Sequence, residues 1–293
     1  MSSPAPSLLS PIVAGLWRMA EWNLDMSARV RWIEQALELG IDSFDHADIY
    51  GGGAVETLFG EALKAAPALR ERIRIVTKCG IRPPDPATGV KTKHYDTSGD
   101  YVRGQVDASL RKLGVERLHM VLIHRPDALM DADVLAGTFA ALTAAGKVAH
   151  WGVSNHTPAQ FALLNDRHPL VTNQVELSPL HMNALDDGTL DQAQELCLKP
   201  MIWSPLGGGR LFRGKDEQAV RVRETMQPIA ERLDVSLATL AYAWVLRHPS
   251  RPHPITGTSR AAGLREAVAA LKVELAAEDW YAIWTANTGH RVP

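Results

Sequence analysis

Four side chains set the chemical question: Asp45, Tyr50, Lys78 and His124. Lys78 closes the apolar run IRIVTK, where a lysine is costly unless it meets a partner. Asp45, at the end of the preceding apolar run, is the obvious partner. A tyrosine hydroxyl has an ordinary pKa near ~10 and is a poor acid at neutral pH. An ammonium beside it stabilises the phenolate and is expected to lower that pKa toward the working range. The aspartate keeps the lysine charged and fixed, and His124 can hydrogen-bond and orient a carbonyl oxygen. Together they make a proton donor with stabilisation for a developing oxyanion. A carbonyl reduced by hydride needs this set, and no side chain supplies hydride, so a nicotinamide cofactor is implied. Singly, each residue has a duller explanation: a turn cap, a half-buried aromatic, a lysine emerging into solvent, a structural histidine. Their common place at the ends of three consecutive apolar runs weighs against all four at once.

The elements that must position them are legible as short apolar runs alternating with helical periodicity. Strands are expected at 11–17, 41–47, 73–78, 118–124, 148–154, 170–175, 200–204 and 253–257. A helical pattern follows each, with Pro158 opening the fifth at a position that tolerates its missing N–H. Eight such units predict an α/β chain folded as a closed (β/α)8 TIM barrel in a single domain, 1–293. The rival is an open doubly wound sheet, which wants a Gly-rich turn after the first strand. GLWRMAEWN stands there instead, with no GxGxxG. In a barrel, polar residues at the C-terminal strand ends share one mouth and read as catalytic. The long loop 80–99, the turn 51–54, Trp17, Trp22 and the aromatics Trp280, Tyr281 and Trp284 are candidates for the pocket wall. Aromatic walls predict a mostly apolar carbonyl substrate, and the tail that carries the last three is expected on the barrel or its mouth.

Composition narrows the class. A chain of 293 residues, 46% hydrophobic and 22% charged, can bury a large core without staples. A net charge of −2 with scattered basic residues gives nothing for nucleic acid or an anionic membrane. Cys79 and Cys197 make neither CxxC nor a zinc spacing. Residues 1–10 lack the features of a signal peptide, and no stretch approaches a membrane span. A reducing cytoplasm is the expected location. The oligomeric state is not written in the sequence.

The segments FDHADIYG, VTKCG, LIHRPD, GVSNHTPAQ, NQVELSPL and WSPLGGGRL, in this order and at these strand ends, resemble the aldo-keto reductase superfamily. The likeness runs from about residue 13 to 270. It is strongest to the branch of bacterial uncharacterised oxidoreductases and to the branch that includes potassium-channel β subunits. The resemblance implies NADP(H) bound without a Rossmann motif, reduction of a small-molecule carbonyl, and Asp45, Tyr50, Lys78 and His124 as the catalytic tetrad with Tyr50 the general acid. It places Gly15, Leu16 and Trp17 beside the cofactor. Ser154, Asn155 and Gln174 match the positions that hold the nicotinamide carboxamide, and Trp203 the aromatic that stacks on its ring. Ser204, Pro205, Leu206, Gly208 and Arg210 match the loop over the pyrophosphate. Gly257, Thr258, Ser259 and Arg260 match the adenosine-phosphate site, and Glu266 the adenine contact.

Physical chemistry reaches two of these sites independently. Three consecutive glycines, 207–209, offer backbone N–H groups and close approach to phosphate. A helix N-terminus after strand eight is a frequent barrel phosphate site, and an arginine there can grip a 2′-phosphate. The chain also departs from the family pattern. Gly263 replaces a second basic residue, for which Arg265 is the nearest substitute, and FDTAD has become FDHAD, with His46 expected to point away from Asp45. Two other readings compete. A metal-dependent barrel hydrolase would collect His46, Asp48, His124 and His181, but HxH and HExxH are missing from the sequence, so no metal is expected. An NADP(H)-binding sensor with little turnover would keep the same tetrad.

Overall fold

The computed structural model describes residues 7–292. Its strands are β1 (Val13–Gly15), β2 (Ser43–Asp45), β3 (Arg74–Cys79), β4 (Ile81–Arg82), β5 (His94–Tyr95), β6 (Leu118–Ile123), β7 (Val148–Ser154), β8 (Asn173–Glu176), β9 (Met201–Trp203) and β10 (His253–Thr256). All but β4 and β5 close into one parallel barrel in the order β1-β10-β9-β8-β7-β6-β3-β2, sheathed by helices. This is the (β/α)8 architecture that the alternation predicts.

Strand register explains why the barrel has a chemical end. Side chains alternate across each strand. Along β3, Val76 joins an inner core with Val13, Met120, Leu122, Met201 and Ile255, while Ile75 and Cys79 belong to the outer layer under the helices. Lys78 shares the parity of Val76 and therefore enters the barrel above that apolar plug. The pairing of β2 with β3 sets Asp45 against Val76, one pleat below the Lys78 ammonium. Close packing leaves Gly152 no alternative: a Cβ there would sit 2.7 Å from Leu122 Cδ2 and 2.8 Å from the Thr172 carbonyl.

Helix starts follow local rules. Asp25, Ser98, Asp131, Thr157, Asp216 and Ser236 each accept a backbone N–H in the first turn of the helix they precede. Thr157 and Gln160 complete a reciprocal capping box ahead of Pro158. The helix Gly99–Leu113 stops at Gly114, whose φ of 66° suits a residue without Cβ.

Two expectations are refined and one is corrected. The 80–99 loop is not featureless: β4 and β5 pair antiparallel within it, and Arg82 meets Asp96 at 3.3 Å. The tail packs on the barrel, one of the two places expected for it, and stays away from the mouth. Its helix, Ala277–Thr288, clasps the flank through stacked Trp244 and Trp280 rings 4.9 Å apart, each indole N–H donating to the other residue's carbonyl at 3.1 Å. Trp280, Tyr281 and Trp284 accordingly line a separate groove with Leu185 and Pro249, not the cleft at the strand ends. No helix among the described residues is long and apolar enough to cross a membrane. Of the signal-peptide expectation, residues 1–6 lie outside the described residues. Cys79 is buried, Cys197 exposed, and neither thiol is linked.

Candidate active site

The barrel brings the four sequence-predicted residues together. Lys78 is wholly buried, and its ammonium donates to Asp45 Oδ2 at 2.7 Å, the His46 carbonyl at 2.7 Å and Tyr50 Oη at 3.0 Å. Its three protons therefore have three acceptors. Asp45 Oδ1 accepts from the Gln174 amide at 2.8 Å, so both carboxylate oxygens are occupied. Tyr50 reaches the group from a glycine turn, Tyr50–Gly53, in which Gly51 and Gly52 have φ of 57° and 65°. The His124 ring stands edge-on to the Tyr50 ring, 5.9 Å between centroids. His46 points outward onto Phe59, centroids 4.6 Å apart, and only its carbonyl serves the site.

Electrostatics modify one expectation. Burial opposes the Lys78 charge, but Asp45 and Tyr50 outweigh it and hold the ammonium above the usual lysine range. For Tyr50, burial raises the pKa more than Lys78 lowers it, so the net direction is upward rather than down toward neutrality. The phenol is then fully protonated at neutral pH, the form a proton donor needs. Burial, with Lys78, Arg125 and Lys93 nearby, drives His124 down to about 2 and keeps its imidazole neutral.

The group opens into a cleft of about 870 Å³ across the barrel mouth. Gly15, Trp17, Ser154, Gln174, Trp203, Ser204, Pro205, Leu206, Gly208, Gly257, Thr258, Ser259 and Arg260 all line it. Leu16 does not: it is fully buried, its N–H bonded to the Asp45 carbonyl at 3.0 Å. Asn155 stands behind the wall as a brace. Its Oδ1 accepts from Trp203 Nε1 at 3.0 Å, and its amide donates to Ser154 Oγ at 2.6 Å. The left-handed φ of Asn155, 59°, is a conformation asparagine tolerates better than most residues. Arg210 is turned outward to Asp216 at 2.8 Å, and Glu266, farther along the helix Ala261–Ala269, also lies outside the lining.

The residues present fit a dinucleotide. Gly207, Gly208 and Gly209 all have left-handed φ and aim a turn of backbone at the cleft, and a Cβ at Gly207 would press on Leu180 at 3.0 Å. Arg213 and Arg260 flank that end. Gly263 has a structural reason, since a Cβ there would meet Thr258 Oγ1 at 2.6 Å. Arg265 is exposed and outside the lining, so the second cation beside Arg260 comes from Arg213, which sequence reasoning missed. The apolar wall needs correction too: Trp17 and Trp22 line it, but so do Arg18, Glu21, Lys93 and Arg125. Their strand-end and loop positions carried a signal, but which loop side chains turn inward is a tertiary fact.

The residues a metal site would collect are scattered. His46 faces the helices, His124 the cleft, and His181 pairs with Glu176 at 3.7 Å. Among the described residues no three of His, Cys, Asp and Glu converge as metal ligands.

Comparison with known proteins gives the family. Residues 11–287 match the model of the aldo/keto reductase family. The chain is 47% identical to the oxidoreductase YdhF of Escherichia coli, over 99% of this chain and 98% of that one. It is 41% identical to a 6-dehydroglucose reductase of Agrobacterium fabrum, over 97% and 96%. A solved glycerol dehydrogenase of Gluconobacter oxydans superposes with a TM-score of 0.84 at 25% identity, covering 96% of this chain and 92% of that one. The chain belongs to the aldo/keto reductase family and is an oxidoreductase of it.

Proposed function

We propose that this chain, acting as one domain, is an NADPH-dependent reductase that converts an aldehyde or ketone to the alcohol, with Tyr50 as general acid. The observation that carries the reading is the fully partnered Lys78, which ties Asp45 to the Tyr50 hydroxyl inside the cleft. A bound nicotinamide supplies hydride to the carbonyl carbon. The Tyr50 hydroxyl gives its proton to the carbonyl oxygen, and neutral His124 donates a hydrogen bond to that oxygen. Lys78 steadies the phenolate left behind, and Asp45 keeps Lys78 charged and in place.

Ser154 and Gln174 hold the carboxamide, Asn155 braces Ser154 and Trp203 from behind, and Trp203 faces the ring. The turn from Ser204 to Gly209 takes the pyrophosphate, and Thr258, Ser259 and Arg260 take the 2′-phosphate, which favours NADPH over NADH. Support comes from the oxidoreductase names of the relatives, two of which are named for reducing 6-dehydroglucose. Free thiols such as Cys197 suit a cytoplasmic setting.

The test is Tyr50→Phe. Consumption of NADPH with 4-nitrobenzaldehyde should fall by about 10²–10⁴-fold, the range for a lost general acid, while NADPH still binds by fluorescence titration. Unchanged turnover rejects Tyr50 as the acid. For the cofactor, Arg260→Ala should weaken NADPH far more than NADH, and equal weakening rejects the 2′-phosphate role.

A further inference from the structure

The cleft has two cationic ends, and the proposed cofactor accounts for one. Arg213 and Arg260 lie beside the glycine turn after β9 and the end of β10. Arg125 follows β6, four strands from β10 in a ring of eight, and so stands diametrically across the mouth. Lys93 comes from the loop that joins β4 to β5, next to β6. Both lie close enough to His124 to depress its basicity, which puts them at the proton-transfer end of the cleft.

Neither cation is spent on a carboxylate. Among the described residues no Asp or Glu oxygen comes within 4.0 Å of Arg125 or Lys93, nor of Arg18 on the same rim. Glu176 lies in the neighbourhood of Arg125 but bridges to His181; of the two acids lining the cleft, Asp45 is taken up by Lys78 and Gln174, and Glu21 is the other. The Arg125 guanidinium sits 5.8 Å over the Trp203 ring, with one long hydrogen bond to the His124 carbonyl at 3.4 Å. A half-buried guanidinium stacked on an aromatic and lacking a counter-ion is a ready anchor for an oxyanion.

We infer that the physiological substrate is an aldehyde or ketone that also carries an anionic group, a carboxylate or its equivalent, held by Arg125 and Lys93 while its carbonyl meets Tyr50 and His124. The inference rests on the reductase reading above and adds the substrate class. It opposes the apolar substrate that the aromatic wall alone suggests: Trp17 and Trp22 flank the chain of such a substrate, and the cations take its charged end.

The experiment compares matched pairs under NADPH: 4-carboxybenzaldehyde against 4-methylbenzaldehyde, and succinic semialdehyde against butanal. At low salt the anionic member should show kcat/KM at least tenfold higher, with most of the gain in KM, and 0.5 M NaCl should shrink the ratio by screening. Arg125→Met should bring the ratio to near one, and Lys93→Met, on an exposed loop, should lower it in part. Arg260→Ala should slow both members without moving the ratio. Equal kcat/KM within each pair, or a ratio that survives both substitutions, overturns the anionic class and leaves the reductase reading standing. Reduction of neither member of either pair overturns the reductase reading, and this inference with it.

Discussion

Two buried ionic clusters lie within a few residues of each other and are built to opposite rules. Inside the barrel, Lys78, Asp45, Tyr50 and Gln174 satisfy one another, leaving neither carboxylate oxygen nor ammonium proton without a partner. Outside it, under the helices Val55–Ala65 and Gly99–Leu113, Asp48 and Glu56 are buried side by side. Glu56 Oε1 accepts from Thr77 at 2.7 Å, but Lys112 stays 3.8 Å from Oε2, and both Oε2 and Asp48 Oδ1 lack a hydrogen bond. Burial and the neighbouring Glu56 push Asp48 up to about 7. The satisfied cluster holds Lys78 as a fixed ammonium at neutral pH, whereas Asp48 in the unsatisfied one holds a proton that leaves near neutrality. Burial with an unpartnered oxygen, and not distance from the active site, raises the Asp48 carboxyl.

The sharpest way to break the contrast is Lys78→Met. It strands Asp45 as a buried unpaired charge, at a cost of about 3–5 kcal/mol, and abolishes carbonyl reduction. Adding Asp45→Asn should restore most of the urea midpoint and none of the turnover. A stable single variant refutes the idea that Lys78 and Asp45 are mutually dependent.

Asp48 offers a smaller effect with a definite sign. Its folded pKa is raised from 3.8 to about 7, so the folded chain binds a proton more tightly than the unfolded one. Stability then falls as pH rises from about 4 through about 7, and the loss is complete above that. Asp48→Asn should remove the slope, gaining ~1–3 kcal/mol on the native chain between pH 4.5 and pH 8. Parallel stability profiles for the two proteins reject the contrast.

Smaller still, Thr77→Val removes the one good partner of Glu56 and should cost about 1 kcal/mol, read as a shift in urea midpoint at constant m. The last expectation is an absence of effect. With His124 held near 2, kcat/KM for a neutral aldehyde should show no histidine inflection between pH 5.5 and 7.5. An inflection near 6.5 places a charged imidazole in the site.

Much of the inner cluster was legible because strand periodicity is a strong signal. Asp45 and Lys78 end consecutive apolar runs, and parallel neighbours in a barrel must bring such ends together. Tyr50 lies past its strand in a turn that only glycines 51 and 52 permit, so it was reached through resemblance. Asp48 was weighed only as a metal ligand and Glu56 not at all, because their pairing on one outward face is a geometry with no simple period. Arg125 and Lys93 sit in loops and Arg213 ends a single helical turn, Arg210–Arg213, where neither pleat nor a sustained helical repeat dictates direction. The tail aromatics were misplaced for the opposite reason: their destination depends on Trp244 of another helix.

The bond between Gln174 and Asp45 spans 129 residues of chain. During synthesis the ribosome must deliver more than half the protein before that carboxylate can find its second partner. The barrel seam itself closes later still, when β10 pairs with β1 and sets Val13 beside Ile255 and Ala14 beside Thr256. A truncated nascent chain would hold Asp45 and Lys78 with nothing to complete them. The chemistry of this molecule can only switch on as a late event in its birth, set by loop closure over long stretches of sequence rather than by any local element.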